Sequence, residues 1–172
     1  MLWGMVLDRH PRLRAFLFPR WTPLYALRVA AVAVFSVLFF TFVLRPFVVA
    51  GKSMEPAFRD GSLHFLLKPR YLFSEPRRRD VVAVRLAGER VVLLKRVVAL
   101  AGEEVAFRGG VLFVDGRPVK EPYVKGPCDW ELPPRRVEPG NVYVVGDNRS
   151  MPLEQHDFGQ VSKGRIVGAP LW

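Results

Sequence analysis

Val91-Val92-Leu93-Leu94-Lys95-Arg96-Val97-Val98-Ala99-Leu100 is a run of ten residues in which only two side chains are charged. Its valines and leucines, and its shortness, read as a strand over Val91–Ala99 rather than a helix. Alternation along a strand sends Lys95 and Arg96 to opposite faces. One of them must therefore face the apolar side, unless the strand lies at an edge. A lysine held there is not an ordinary solvated lysine; the competing reading is a lysine at a strand rim.

Working outward from this run, short apolar stretches alternate with Gly, Pro and Asp. Phe47–Ala50, Leu63–Lys68, Val81–Leu86, Glu104–Arg108, Val111–Val114, Val142–Val145 and Arg165–Gly168 read as further strands. The turns between them are Asp60-Gly61, Ala87-Gly88-Glu89, Ala101-Gly102, Gly109-Gly110 and Asp115-Gly116. Many short strands so punctuated predict a mainly β domain over residues 46–172. Residues 125–140 carry Pro127, Pro133, Pro134 and Pro139 and read as a long surface loop.

Before residue 46 the pattern is different. Leu24–Leu44 is 21 residues long with Arg28 as its one charge. As a helix it extends about 30 Å, the thickness of a bilayer's hydrocarbon core. The stretch is too long for a cleavable signal peptide, and no small-x-small cleavage site follows it directly. Residues 24–45 are therefore expected to form one uncleaved transmembrane anchor. Residues 1–23, with Arg9, Arg12, Arg14 and Arg20 among aromatics, form a basic segment suited to a cytoplasmic membrane surface. The positive-inside rule then places the N-terminus in the cytoplasm and residues 46–172 outside it.

The net charge of +10 fits anionic lipid headgroups. No zinc finger, RNP-type aromatic motif or long basic run accompanies it, so nucleic acid is not the expected partner. The lone Cys128 excludes an intramolecular disulfide and a cysteine-based metal site. The histidines are His10, His64 and His156, and neither His64 nor His156 sits in a known triad motif. A serine hydroxyl nonetheless needs a base. Ser53, in Gly51-Lys52-Ser53-Met54-Glu55-Pro56, is one of six serines and reads on spacing alone as a solvated loop residue. A buried, neutral lysine is the alternative base, and Lys95 is the strongest candidate.

Taken in order, these segments resemble the bacterial type I signal peptidases, a family of Ser-Lys serine proteases, from about residue 24 to 170. The nucleophile box is similar to Gly51–Pro56, and the next box to Arg78-Arg79-Asp80-Val81-Val82-Ala83-Val84. The lysine box is similar to Leu94–Glu103, and the last box begins Gly146-Asp147-Asn148-Arg149 and closes at Phe158-Gly159-Gln160-Val161. The resemblance implies a signal-peptidase-like β-fold catalytic domain behind one N-terminal transmembrane helix. It implies an endopeptidase that removes signal peptides from exported preproteins after small residues, with no metal or other cofactor. Ser53 would be the nucleophile and Lys95 the general base. Gly51 stands where many members carry a second oxyanion hydroxyl. Phe47, Val49, Met54, Phe58 and Leu94 match the shallow substrate pockets.

The departures fall after Arg149. Pro152 stands where the family has a serine that bonds the catalytic lysine, so Ser150 or a water is expected to position Lys95 instead. Glu154 and His156 replace the family's Asp–Arg pair, Asp147 and Arg149 are expected to pair with each other, and a shifted alignment gives the acidic role to Asp157. Two other readings compete. A self-cleaving repressor-type protease shares the dyad but brings a DNA-binding module rather than a membrane span. A catalytically inactive, membrane-anchored peptide-binding module of the same fold is the other.

Overall fold

The computed structural model describes residues 22–85, 92–157 and 159–171. The basic segment before Thr22, the Ala87-Gly88-Glu89 turn, the strand ends Leu86 and Val91, and Phe158 lie outside the described residues. The chain divides into two units, broken between Thr41 and Phe42.

The first unit is dominated by α1, Pro23–Phe42. Most of its 20 residues are apolar, and among the described residues nothing buries them. A helix apolar all round needs another apolar medium, and this one is long and apolar enough to cross a membrane. The anchor helix ends at Phe42, two residues short of the sequence-based limit of the apolar run, because Leu44 already belongs to the first strand.

The second unit holds eleven strands among the described residues: β1 (Leu44–Val48), β2 (Leu63–Leu67), β3 (Val81–Arg85), β4 (Val92–Leu100), β5 (Glu104–Arg108), β6 (Val111–Val114), β7 (Arg117–Pro118), β8 (Leu132–Arg136), β9 (Asn141–Val145), β10 (Gly159–Ser162) and β11 (Ile166–Leu171). Seven form one antiparallel sheet in the order β1-β2-β11-β3-β4-β9-β10, and four form a second in the order β7-β6-β5-β8. β3 and the middle of β4 are buried on both faces, which explains their nearly unbroken apolar sequence. Val82, Val84, Val97, Val142 and Val144 pack into one cluster. Val49, Met54, Phe58, Leu66, Val81, Ala83 and Leu94 form another, around the start of the nucleophile loop. Trp130, Phe107, Leu112, Val98 and Tyr143 anchor a third, between the two sheets.

The proline-rich stretch is not one long loop. Leu132–Arg136 is β8, an edge strand paired with β5. Pro133 and Pro134 are tolerated there because an edge strand does not need every N–H for the ladder. Its flanks are core: Trp130 and Val137 are buried.

Candidate active site

β3 pairs β4 along both residues and β9 joins it from Arg96 onward, so Lys95 stands at the start of an open edge, yet both Lys95 and Arg96 are buried. Lys95 lies directly across from the buried Val82 of β3 and is 3% exposed. An ammonium there has lost most of its hydration. Burial accordingly pushes the Lys95 amine below its ordinary pKa, while the Asp157 carboxylate pulls the other way.

Lys95 Nζ is 3.3 Å from Ser53 Oγ. Ser53 sits on the loop that leaves β1. The loop's base is tied by Val49 N–H to the Ser62 carbonyl (2.9 Å) and Gly61 N–H to the Val49 carbonyl (2.9 Å). Gly51 turns at φ +94°, a conformation that favours glycine, and its N–H donates to Asp60 Oδ1 at 2.9 Å. From the other side Asn148 clamps the loop: its backbone N–H donates to the Ser53 carbonyl (3.0 Å) and its Nδ2 to the Lys52 carbonyl (3.1 Å). Met54 is buried beneath, in the same cluster as Leu94. Ser53 and Lys95 are thus held by a strand on one side and a doubly held loop on the other.

Ser53 opens onto an apolar cleft of about 110 Å³, lined by Phe47, Val48, Val49, Ala50, Gly51, Met54 and Val92–Leu94. A neighbouring cavity of about 250 Å³ shares Phe47, Val48, Val92 and Leu94 with it and extends to Arg45 and Ala83. Of the residues expected to line substrate pockets, Phe47, Val49, Met54 and Leu94 line the cleft beside Ser53. Phe58 does not: it is fully buried in the core, its ring edge-on to His64 at 4.9 Å.

Residues 21–171 match the family described as Signal peptidase, peptidase S26. The chain is 31% identical to a probable signal peptidase I of Synechocystis, over 81% of this chain and 75% of that one. It is 34% identical to a signal peptidase I of Bacillus caldolyticus, over 74% of this chain and 77% of the relative. A thylakoidal processing peptidase of Arabidopsis thaliana is 31% identical over 80% of this chain and 44% of its own length. The chain belongs to the signal peptidase family.

Around Ser53 and Lys95, the other expected residues of this signal peptidase family chain are arranged differently from the expectation. Asp147 does not pair with Arg149. It takes two bonds from Arg96, at 2.7 and 2.6 Å, because the register of β4 on β9 sets Arg96 beside Val145. Arg96 also donates to the Arg79 carbonyl at 2.7 Å and lies over the Tyr123 ring. Arg149 instead grips Glu121 with two bonds, at 2.9 and 2.7 Å, and the Gly146 carbonyl at 2.8 Å. Among the described residues Ser150 makes no hydrogen bond to Lys95: its Oγ lies against Gly126, and the residue lines a surface depression with Glu154 and Pro152. Glu154 makes no ion pair with His156 among the described residues. His156 turns inward, with Nε2 at 2.7 Å from the Asn148 carbonyl and its ring edge-on to Trp130. Asp157 is the exposed carboxylate that acts electrostatically on both Lys95 and His156.

Gly146, Glu121, Trp130 and Asn148 were not singled out for these roles in the sequence. Gly146 was the one with a usable signal. A glycine preceding Asp-Asn in a strand-terminal box marks a close backbone approach. Here a Cβ at 146 would meet His156 Cε1 at 2.8 Å and the Ser53 carbonyl closer still. Among the described residues no group of His, Cys, Asp and Glu forms a metal site.

Proposed function

We propose that this chain removes N-terminal signal peptides from exported preproteins, with Ser53 as nucleophile and Lys95 as general base, after small side chains in an Ala-x-Ala pattern. The approach of Lys95 Nζ to Ser53 Oγ carries the reading. A neutral amine has one lone pair, and at 3.3 Å it is in reach of the serine proton. Ser53 Oγ would give up that proton to Nζ as it attacks the scissile carbonyl, and Lys95 would return it to the departing amine. Water would then hydrolyse the acyl-enzyme ester, with Lys95 again taking a proton. The Ser53 backbone N–H is the assigned oxyanion donor.

The strand edges support an extended substrate. Among the described residues β1 pairs only with β2, and β9 pairs with β4 only from Arg96 onward. The outer edge of β1 and the Val92–Lys95 edge of β4 are therefore open toward the cleft, where a peptide strand adds by backbone hydrogen bonds. The small volume beside Ser53 favours alanine-sized side chains. The chain is read as anchored by α1, with residues 1–23 cytoplasmic and residues 46–172 outside, its partners being preproteins and lipid.

The test is cleavage of a preprotein in detergent by the intact chain, beside Ser53→Ala and Lys95→Ala. Cleavage that survives either substitution removes the proposed chemistry. No cleavage by the intact chain, with no labelling of Ser53 by a serine-acylating probe, would favour the inactive peptide-binding module, which the intact dyad geometry disfavours.

A further inference from the structure

Once Lys95 is neutral and its lone pair is aimed at Ser53, its two N–H groups need acceptors to hold that aim. The sequence offered Ser150, which makes no hydrogen bond to Lys95 among the described residues. The structure offers an acceptor with nothing to accept. His156 is 6% exposed, and its Nε2 sits 2.7 Å from a carbonyl oxygen, that of Asn148. A carbonyl only accepts, so Nε2 carries the hydrogen and Nδ1 of the neutral ring is a bare lone pair. That Nδ1 is buried with no hydrogen-bond partner among the described residues. An unpaired buried acceptor is destabilising and calls for an explanation.

Its surroundings supply one. The ring is locked edge-on to Trp130 at 4.7 Å, and the indole N–H is held by the Met151 carbonyl at 2.9 Å. The Cβ position of Gly146 lies 3.1 Å from Nδ1 and also against the Ser53 carbonyl, so the bare nitrogen and the nucleophile's backbone share one wall. The charged groups acting on the ring are Lys95, Arg149 and Asp157. We propose that His156 is a positioning residue: its Nδ1 accepts an N–H of neutral Lys95 through one bridging water, and so aims the amine lone pair at Ser53 Oγ.

Burial, with Lys95 and Arg149 nearby, depresses the His156 pKa, against the pull of the Asn148 carbonyl and Asp157. Nδ1 therefore stays bare over the range in which Lys95 is neutral. This inference rests on the Ser-Lys reading, and the experiment separates the two.

Two amide substitutions divide the ring's functions. His156→Asn places an amide atom near Nδ1 and abandons the Asn148 tether. His156→Gln reaches the Asn148 carbonyl and abandons Nδ1, and His156→Phe keeps bulk and loses both. Preprotein cleavage is followed across pH for all three, with the wild type and Ser53→Ala as references. The expected result is a kcat loss of about 10–100-fold for Gln and Phe, with KM within about twofold, and a loss under about fivefold for Asn. Removing the acceptor also favours the amine over the ammonium, so the acid limb of the Phe and Gln profiles should move to lower pH. If Gln is near wild type while Asn is as slow as Phe, His156 is only a tether and the inference falls. It falls equally if all three variants cleave like the wild type. Should the Phe variant fail to fold, the Asn–Gln contrast still decides. An inactive wild type would instead overturn the Ser-Lys reading.

Discussion

Replacing Gly146 by alanine puts a methyl group where the site has no space for one. Gly146 is not among the residues of positive φ, so the backbone itself tolerates a side chain and the effect is steric. The new Cβ would stand 2.8 Å from His156 Cε1 and nearer still to the Ser53 carbonyl oxygen. Ordinary contact begins at 3.4 Å, so the histidine must retreat by about 0.6 Å and the Ser53 backbone by more. Neither neighbour is a flexible chain end. The carbonyl is held by Asn148 N–H at 3.0 Å, and the ring is held by Asn148 and Trp130. Overpacking of this kind costs about 1–3 kcal/mol of stability. A displacement approaching 1 Å at a nucleophile costs about 100-fold in rate. Gly146→Ala should therefore remain folded, lose a few degrees in Tm, and cleave a preprotein about 10–100-fold more slowly. The same slowing should appear in acylation of Ser53 by a small serine-reactive probe, which does not use the extended cleft. Wild-type kcat together with wild-type Tm would show that the wall behind Ser53 is soft, and would refute the argument that it sets the attack geometry.

Lys95→Met should raise the Tm of the detergent-solubilised protein by several degrees near neutrality. Because the folded amine pKa is depressed, the unfolded chain binds more protons between the folded and unfolded values, and wild-type stability rises with pH across that window. The burial cost is fully present below the folded pKa, so the advantage of methionine should shrink as pH climbs toward the ordinary lysine value of about 10.4, and a constant Tm gap would contradict the burial argument. Asp157→Asn removes the carboxylate that raises the Lys95 pKa, so the acid limb of kcat/KM should move to lower pH with the plateau unchanged. Asp157 is exposed, so the shift should be clearest at low salt, and an unmoved limb there would exclude the coupling. Asp147→Ala leaves the buried Arg96 without its carboxylate, which should cost about 3–5 kcal/mol in urea unfolding; a loss below about 1 kcal/mol would mean that the Arg79 carbonyl and Tyr123 suffice.

The strands that alternate or run continuously apolar were legible in the sequence. β5 and β6 match the expected limits, and β2, β3, β4 and β9 fall within a residue or so of them. β1 begins three residues earlier than expected, and β11 runs on to Leu171. β8 was hidden because Pro133 and Pro134 signal a loop unless the pairing partner is known, and only the position of β5 reveals an edge that tolerates them. β7 and β10 are too short or too polar to stand out locally. At the site, Ser53 and Lys95 were legible as chemistry, but their approach across 42 residues of sequence was not. Long-range charge pairing was less legible still. Asp147 and Arg149 are two residues apart, yet their partners lie 51 and 28 residues away, set by strand register and by the hairpin that carries Glu121. His156 was read for its charge, whereas its surroundings make a neutral ring with one bare nitrogen.

The adjacent bases of β4 carry this one step further. Lys95 has to surrender its charge to act, and Arg96 has to keep its charge to hold Asp147. A single strand satisfies both because its two faces meet different environments: Val82 and the Ser53 hydroxyl on one side, a carboxylate, a carbonyl and an aromatic ring on the other. The residue types are not interchangeable. A guanidinium at 95 would not release a proton near neutrality, and an ammonium at 96 would lose the paired contact that the planar fork makes with both oxygens of Asp147. The Arg96–Asp147 pair also anchors the end of β9, from which Asn148 reaches back to hold the Ser53 carbonyl. The charged residue next to the proposed base thus helps fix the loop that presents Ser53, and the order Lys-Arg on this strand links the proposed catalytic geometry to the stability of the fold.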